Sequence, residues 1–413
     1  MAARELVELD QARRMVLDVV GALPPTPVVL DAALGRVLRE DVSAETPVPA
    51  FDSSAMDGFA VRASDLTAAS QASPVTLTVV GESRSGAPSE LALQRRETIS
   101  ISTGAMLPAG ADAVVKIEDT DTRDGVVEFA VAAVAGQDVR RAGEDIAPGQ
   151  RVLERGIVLG PAELGVLASL GHAEALCSPY PRVSVVVTGD ELLAAGEPPR
   201  EGGVRDTSTH TIRALTHCAG AEVVHAARVG DDLTATTAAL AAARESADVV
   251  LMCGGVSVGR HDHVRPALRA LGARESFWGV ALKPGRPTWF GTLDGTPVFG
   301  LPGNPVSTMV TFALLVRPAL RALQGATIDG RRWSAVLDRD YQKPAGRAHA
   351  VRCRVRAQDD GWHAEPTGAQ GSHILTSMLG ADALAIVPSD VTAVRAGERV
   401  ALEPLHGNVG VTS

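Results

Sequence analysis

Val249-Val250-Leu251-Met252-Cys253-Gly254-Gly255-Val256-Ser257-Val258-Gly259-Arg260-His261-Asp262 is the stretch that decides how the chain is read. Its apolar, β-branched start reads as a buried strand. The strand breaks into a glycine-spaced loop with one hydroxyl and a carboxylate, and a helical pattern then runs to about Leu271. In open parallel sheets, ligands bind beyond the carboxyl ends of strands, where loops lead into helix N-termini. A Gly-Gly pair there lets backbone N–H groups approach a ligand, because no Cβ intervenes. Alone, the stretch fits a tight structural turn equally well.

Two other strand ends change that balance. Val183 to Val187 runs into Thr188-Gly189-Asp190-Glu191-Leu192, and Thr296 to Gly300 runs into Leu301-Pro302-Gly303-Asn304-Pro305. Helical patterns from Thr209 to Cys218, from Asp231-Asp232 to about Glu245 and from Pro305 to about Leu323 alternate with strands such as Val223 to Val229. That alternation defines a βα-repeating domain with a mostly parallel sheet, and the three loops fall on one edge of it. Glycines and helix N-termini suit phosphate, carboxylates suit a hard cation such as Mg²⁺, and Lys283 and Arg286 supply positive charge for an anion.

A chain of 413 residues exceeds one ordinary core, and its length suggests about three domains. Hydrophobic residues make up 45% and charged residues 21%, which marks globular rather than disordered material. The formal net charge of -10 argues against a general nucleic-acid binder. Cys177, Cys218, Cys253 and Cys353 form no C-x-x-C pair, so a thiolate zinc site or disulfide framework is not expected. No signal-peptide core is evident, and spans such as Met309 to Val316 read as too short to cross a bilayer. A soluble cytoplasmic protein without membrane or nucleic-acid partners is the expectation.

Ahead of the α/β region, helical spacing predicts helices from Leu6 to Leu23, from Leu30 to Leu38 and from Pro161 to Leu170. Between them, Val75 to Val80, Thr98 to Ser102, Ala113 to Glu118 and Val126 to Val131 read as short strands of an inserted β domain. Pro47 to Arg62 begins with prolines and contains the Asp57-Gly58 turn signal. Ser102-Thr103-Gly104-Ala105 and Val139-Arg140-Arg141-Ala142-Gly143-Glu144-Asp145-Ile146 are further polar turns. Beyond Gly330 the pattern is all β; Val351, Cys353 and Val355 alternate with Arg352, Arg354 and Arg356, as in a half-buried strand with a basic face.

Several signals are weak. His261-Asp262-His263 lacks the further ligand that a zinc site needs. No G-x-x-x-x-G-K-[ST] motif is present, Asp231-Asp232 reads first as a helix N-cap, and Ser257 has no nucleophile-elbow setting.

Phe51-Asp52-Ser53-Ser54-Ala55-Met56-Asp57-Gly58-Phe59-Ala60-Val61-Arg62 resembles the signature of the molybdopterin molybdenumtransferase (MoeA) family, which includes the E domain of gephyrin. Ser102 to Ala105, Gly143 to Ile146, Thr188 to Leu192, Gly254 to Gly259, Lys283-Pro284-Gly285 and Gly300 to Ser307 match further motifs in the family's order. The resemblance implies a multidomain α/β plus β architecture. Residues 1–46 and 139–176 form a discontinuous linker domain, and 47–138 an inserted β domain. Residues 177–328 form an α/β molybdopterin-binding domain similar to molybdopterin adenylyltransferase, and 329–413 a C-terminal β-barrel. It also implies a homodimer with an inter-subunit site, and transient contacts with molybdopterin adenylyltransferase and molybdoenzyme maturation factors.

The implied reaction takes adenylylated molybdopterin and molybdate, releases AMP with Mg²⁺ assistance, and places molybdenum on the dithiolene. By resemblance, Asp57, Asp145, Glu191, Asp231 and Asp262 are the catalytic positions, the last three also metal ligands. Thr103, Thr188, Gly189, Gly254, Gly255, Ser257, Lys283, Arg286, Pro302, Asn304, Arg347, Arg352 and Ser372 are the substrate-binding positions. Four departures stand out: Asp206-Thr207-Ser208 where Asp-Ser-Asn is usual, Gly279 where lysine is common, Cys253 where serine is usual, and Arg286 where lysine is frequent. An adenylyltransferase-type enzyme and a non-catalytic molybdopterin-binding scaffold are the alternatives.

Overall fold

The computed structural model describes residues 6–256, 262–327 and 333–405. Thr26–Val29 pairs antiparallel with Glu174–Cys177, and Val42–Ser43 with Arg151–Leu153. The chain therefore leaves this small domain after Ser43 and returns to it near Arg151. The excursion builds a six-stranded sheet in the order Ala113–Lys116, Gly58–Val61, Glu97–Ile101, Val75–Ser83, Val126–Phe129, Thr120–Arg123. Phe59, Leu77, Val115, Val127 and Phe129 fill its core, each such side chain contributing roughly 1.5–3 kcal/mol.

Two helices differ from the spacing-based expectation. The first covers only Leu9–Leu17; beyond Gly21, Leu23 instead donates its N–H to the Leu323 carbonyl at 2.8 Å. The expected helix from Leu30 to Leu38 is a single 3₁₀ turn, Leu30–Ala32. Gly35, at φ +76°, ends it, and Val37 and Leu38 are extended, bridging Val158 and Cys177.

The α/β sheet runs Glu222–Val229, Arg182–Thr188, Val249–Cys253, Thr296–Leu301, Trp289–Leu293, Arg274–Trp278. The first four strands are parallel, Trp289–Leu293 runs antiparallel to them, and Arg274–Trp278 runs antiparallel to Trp289–Leu293. Helices cover both faces: Ile212 and Val306 pack on one, Leu240 and Leu268 on the other. Val187 pairs with Cys253, and Cys253 with Leu301, so the three glycine-bearing loops leave the sheet side by side.

The apolar stretch after Asn304 is longer than Met309 to Val316 suggested. Pro305–Leu323 makes 19 residues, long and apolar enough by length and composition to cross a bilayer, but 72% of its most apolar window is buried as a core helix. Its middle, Phe312–Val316, is π-helical. Pro318 has no N–H for the carbonyl four residues earlier, Leu314, and Arg13 Nε donates to that carbonyl at 3.0 Å.

Between Phe277 and Leu282 the chain turns at Gly279, at φ +97°, where Val7 donates its N–H to the Gly279 carbonyl. A Cβ at Gly279 would sit 2.9 Å from Leu6 Cδ2, so docking of the N-terminal segment accounts for glycine at this departure. Leu282–Lys283 then leaves the α/β sheet and pairs in parallel with Ala348 and His349. There Trp333–Leu337, Gly361–Pro366, Ala348–Gln358, Ala383–Val387 and Arg399–Pro404 close into a five-stranded barrel. The alternation expected around Arg352 fails: Ala348 to Cys353 are all buried, and Arg352 is 1% exposed.

Candidate active site

A hollow of about 620 Å³ lies over the carboxyl ends of the parallel strands. Thr188, Gly189, Glu191, Asp231, Gly254, Gly255, Asp262, Pro302 and Asn304 line it, so most of the sequence-expected positions of this domain are brought together. Ser257 lies outside the described residues.

The glycine pair is required twice over. Gly254 and Gly255 have φ +88° and +62°, a region that favours glycine. A Cβ on Gly254 would stand 2.7 Å from the Thr188 carbonyl oxygen, and one on Gly255 2.7 Å from Val264 Cγ2. Both would also come within 3.0 Å of Thr188 Oγ1. That hydroxyl is buried, with no hydrogen-bond partner among the described residues, which is costly unless a ligand supplies one.

Glu191 is exposed and folds its carboxylate back over Gly189. Asp231 is held by a neighbour: its N–H donates to Asp190 Oδ1 at 3.1 Å. Asp190 has no assigned role by resemblance, although its place inside the Thr188 to Leu192 loop could have marked it. Asp232, not Asp231, caps the helix, accepting the Ala235 N–H at 2.7 Å. Asp206, Thr207 and Ser208 also line the hollow. Asp206 accepts from the N–H and hydroxyl of Thr209 at 3.0 and 2.6 Å, opening the following helix at the cleft.

Cys253 is 1% exposed. Its thiol is pushed up from the ordinary range by burial, with nearby Asp206 adding to the shift. Sγ reaches the Pro302 carbonyl at 3.5 Å and Thr308 Oγ1 at 3.6 Å. It behaves as a small buried residue fastening adjacent strand ends, not as a nucleophile.

A second hollow, of about 630 Å³, opens between the α/β domain and the barrel. Lys283, Arg286, Arg347, Ser372 and His373 line it, and Pro287, Pro302 and Asn304 are shared with the first. The acidic and basic spaces therefore adjoin. Arg352 does not reach this hollow: it donates from Nε to Ser377 Oγ at 3.2 Å and from Nη2 to the Ala369 and Gly371 carbonyls at 3.4 and 3.2 Å. Its place as a substrate contact becomes a place behind the loop that carries Ser372.

Asp57, Thr103 and Asp145 line neither hollow. They are exposed on the N-terminal half, where Asp57 Oδ1 accepts the Thr103 N–H at 2.8 Å. Asp52 ties this segment to the Val139 to Ile146 turn, accepting from Arg141 Nη1 at 2.6 Å and the Ala142 N–H at 2.8 Å. The Ala142 N–H first, and then Arg141, hold the Asp52 carboxyl below its usual range. Among the described residues, no cluster of three or more His, Cys, Asp or Glu side chains is already arranged to hold a metal ion.

Family models agree with this layout. The MoeA N-terminal region (domain I and II) matches residues 7–171, a probable molybdopterin binding domain matches 184–322, and the MoeA C-terminal region (domain IV) matches 334–405. Fold and site thus define the class: a multidomain protein of molybdenum cofactor biosynthesis.

Molybdopterin molybdenumtransferase of Haemophilus influenzae is 36% identical over 414 residues, covering 98% of this chain and 100% of its own. Molybdopterin molybdenumtransferase 2 of Mycobacterium tuberculosis is 37% identical, covering 95% and 98%. The crystal structure of the molybdopterin biosynthesis MoeA protein from Pyrococcus horikosii superposes with a TM-score of 0.83 at 31% identity, covering 98% and 100%. The chain belongs to the molybdopterin molybdenumtransferase (MoeA) family and is an enzyme of molybdenum insertion.

Proposed function

We propose that this enzyme takes adenylylated molybdopterin and molybdate in its two adjoining hollows, releases AMP and leaves molybdenum on the dithiolene sulfurs. The observation that carries this reading is the shared edge at Pro302 and Asn304, where an acidic, glycine-lined space meets a basic one. The Gly254-Gly255 backbone and the Thr188 hydroxyl receive phosphate oxygens. Lys283, Arg286, Arg347 and Ser372 hold the tetrahedral oxyanion. The phosphoanhydride then lies along the boundary, so its cleavage occurs beside the metal-accepting sulfurs.

Glu191, Asp231 and Asp262 are the residues to hold Mg²⁺. The fit rests on the donor set: a few carboxylates on one hollow, not prearranged, suit an ion that takes one or two carboxylates and completes its shell with phosphate and water. When bound, Mg²⁺ neutralises charge on the phosphate oxygens. Asp57, Thr103 and Asp145 act from the second subunit of a homodimer, which is consistent with their exposure and their absence from both hollows of their own chain. The setting we infer is the cytoplasm. Titrating AMP release with Mg²⁺ tests the ligand assignment: Asp231→Asn is expected to need far more Mg²⁺ than wild type, and an unchanged Mg²⁺ dependence would remove Asp231 from the set.

A further inference from the structure

Lys343 is 6% exposed, and no carboxylate among the described residues pairs with it. Its ammonium donates instead to three carbonyls, Arg347 at 2.9 Å, Ser389 at 3.2 Å and Pro344 at 3.4 Å. Asp390 and Glu8 act on it only from farther away, and burial holds its pKa below the usual lysine range. A buried cation with no carboxylate in direct contact is a poor stabilising device, since an apolar side chain would fill the space at less cost.

What it joins is informative. Three ammonium protons meet three carbonyls, and two of these belong to the turn that ends in Arg347. Gly346, at φ +95°, donates its N–H to the same Ser389 carbonyl at 2.8 Å. The turn is thus pinned to Ser389 at two points, immediately before the strand whose Ala348 and His349 pair with Leu282 and Lys283. His349, 4% exposed, shares a 2.9 Å hydrogen bond between Nδ1 and the Tyr341 hydroxyl. Burial first, then Lys283, Lys343 and Arg347, bring its pKa down to about 4, so the imidazole beneath these cations stays neutral.

We propose that Lys343 is a positioning residue for oxyanion binding, pinning the Pro344 to Arg347 turn so that Arg347 is presented beside Lys283. This rests on the reading of the basic hollow as the molybdate site.

The test is calorimetric binding of molybdate alone to the full-length protein. Lys343→Met is expected to weaken binding about tenfold, and the Lys343→Met/Arg347→Ala double variant to bind no more weakly than Arg347→Ala, because one acts through the other. Losses that add would overturn the positioning role. Gly346→Ala loosens the same turn without removing charge or meeting any neighbour. It should also weaken molybdate severalfold, and wild-type affinity there would overturn the proposal even if Lys343→Met failed to fold. Amide hydrogen exchange at Gly346 and Arg347 is expected to quicken in Lys343→Met. If wild-type protein bound no molybdate, the hollow's assignment would fail, and unchanged exchange would separately refute the pinning.

Discussion

Asn304 Nδ2 donates to Ser372 Oγ at 3.1 Å, joining the α/β loop at the end of Thr296–Leu301 to the barrel loop behind which Arg352 sits. Asn304 stands at the N-cap of the helix Pro305–Thr311, yet its side chain makes no capping bond there. The amide serves the junction between the two hollows instead of the helix.

Asn304→Ala and Ser372→Ala should therefore each raise KM for molybdate by roughly three- to tenfold, and the double variant should do little more than either. Steady-state kinetics with unfolding curves check this; the stability change should stay within about 0.5 kcal/mol, as for surface substitutions.

The unpartnered Thr188 hydroxyl separates stability from function. Thr188→Val removes a buried polar atom that has no partner in the free protein, so stability should hold or rise by up to about 1 kcal/mol. Affinity for the phosphate-bearing substrate should fall. Gly254→Ala should behave oppositely, losing about 1–3 kcal/mol from its left-handed backbone alone, before the clash with the Thr188 carbonyl. Chemical denaturation paired with substrate titration distinguishes the two.

Mixing two inactive variants tests the inter-subunit site. Glu191→Gln and Asp57→Asn homodimers should each be nearly inactive. After exchange of subunits, half the dimers are mixed and each carries one intact site, so about a quarter of wild-type activity should return. No recovery, with exchange verified by mass, would place both residues in one chain's site.

The barrel contains a histidine clamp whose effect on stability has a definite sign. His363, with its side chain 11% exposed, meets Asp338 at 2.7 Å through Nδ1 and Asp360 at 2.9 Å through Nε2. The hydrogen bond to Asp338, then that to Asp360, raises its pKa above the ordinary 6.5. Asp338 is lowered, first by His363 and also by Arg356, and Asp360 is lowered by His363. A raised histidine stabilises the fold fully below about 6.5, and that contribution fades as pH rises through its higher folded value. The lowered carboxylates stabilise above their ordinary range and lose this as pH falls. Unfolding free energies at pH 6 and pH 8.5 should converge between wild type and His363→Gln at the higher pH. A constant gap would show that the clamp is not ionic.

Much of this was legible beforehand because it is written in local chemistry. Val249 to Gly255 announces a buried strand and a close-approach loop, and the structure gives both glycines the positive φ that such a loop needs. Long-range contacts were not legible. Helical spacing at Leu30 to Leu38 gave way to Gly35 and to bridges with Val158 and Cys177, which no local pattern encodes. Arg352 alternates like a surface arginine, but closure of the barrel puts it inside, against carbonyls supplied from residues 369 and 371. Cys253 gained its explanation only when Pro302 and Thr308 came to lie against it.

The most direct measurement follows AMP release and metal incorporation together in purified protein supplied with adenylylated molybdopterin, Mg²⁺ and molybdate. The adjoining hollows predict that the two rise in step, one AMP for about each molybdenum inserted, and that both collapse in Glu191→Gln. Molybdenum insertion without AMP release, or AMP release indifferent to molybdate and to Glu191, would contradict the account.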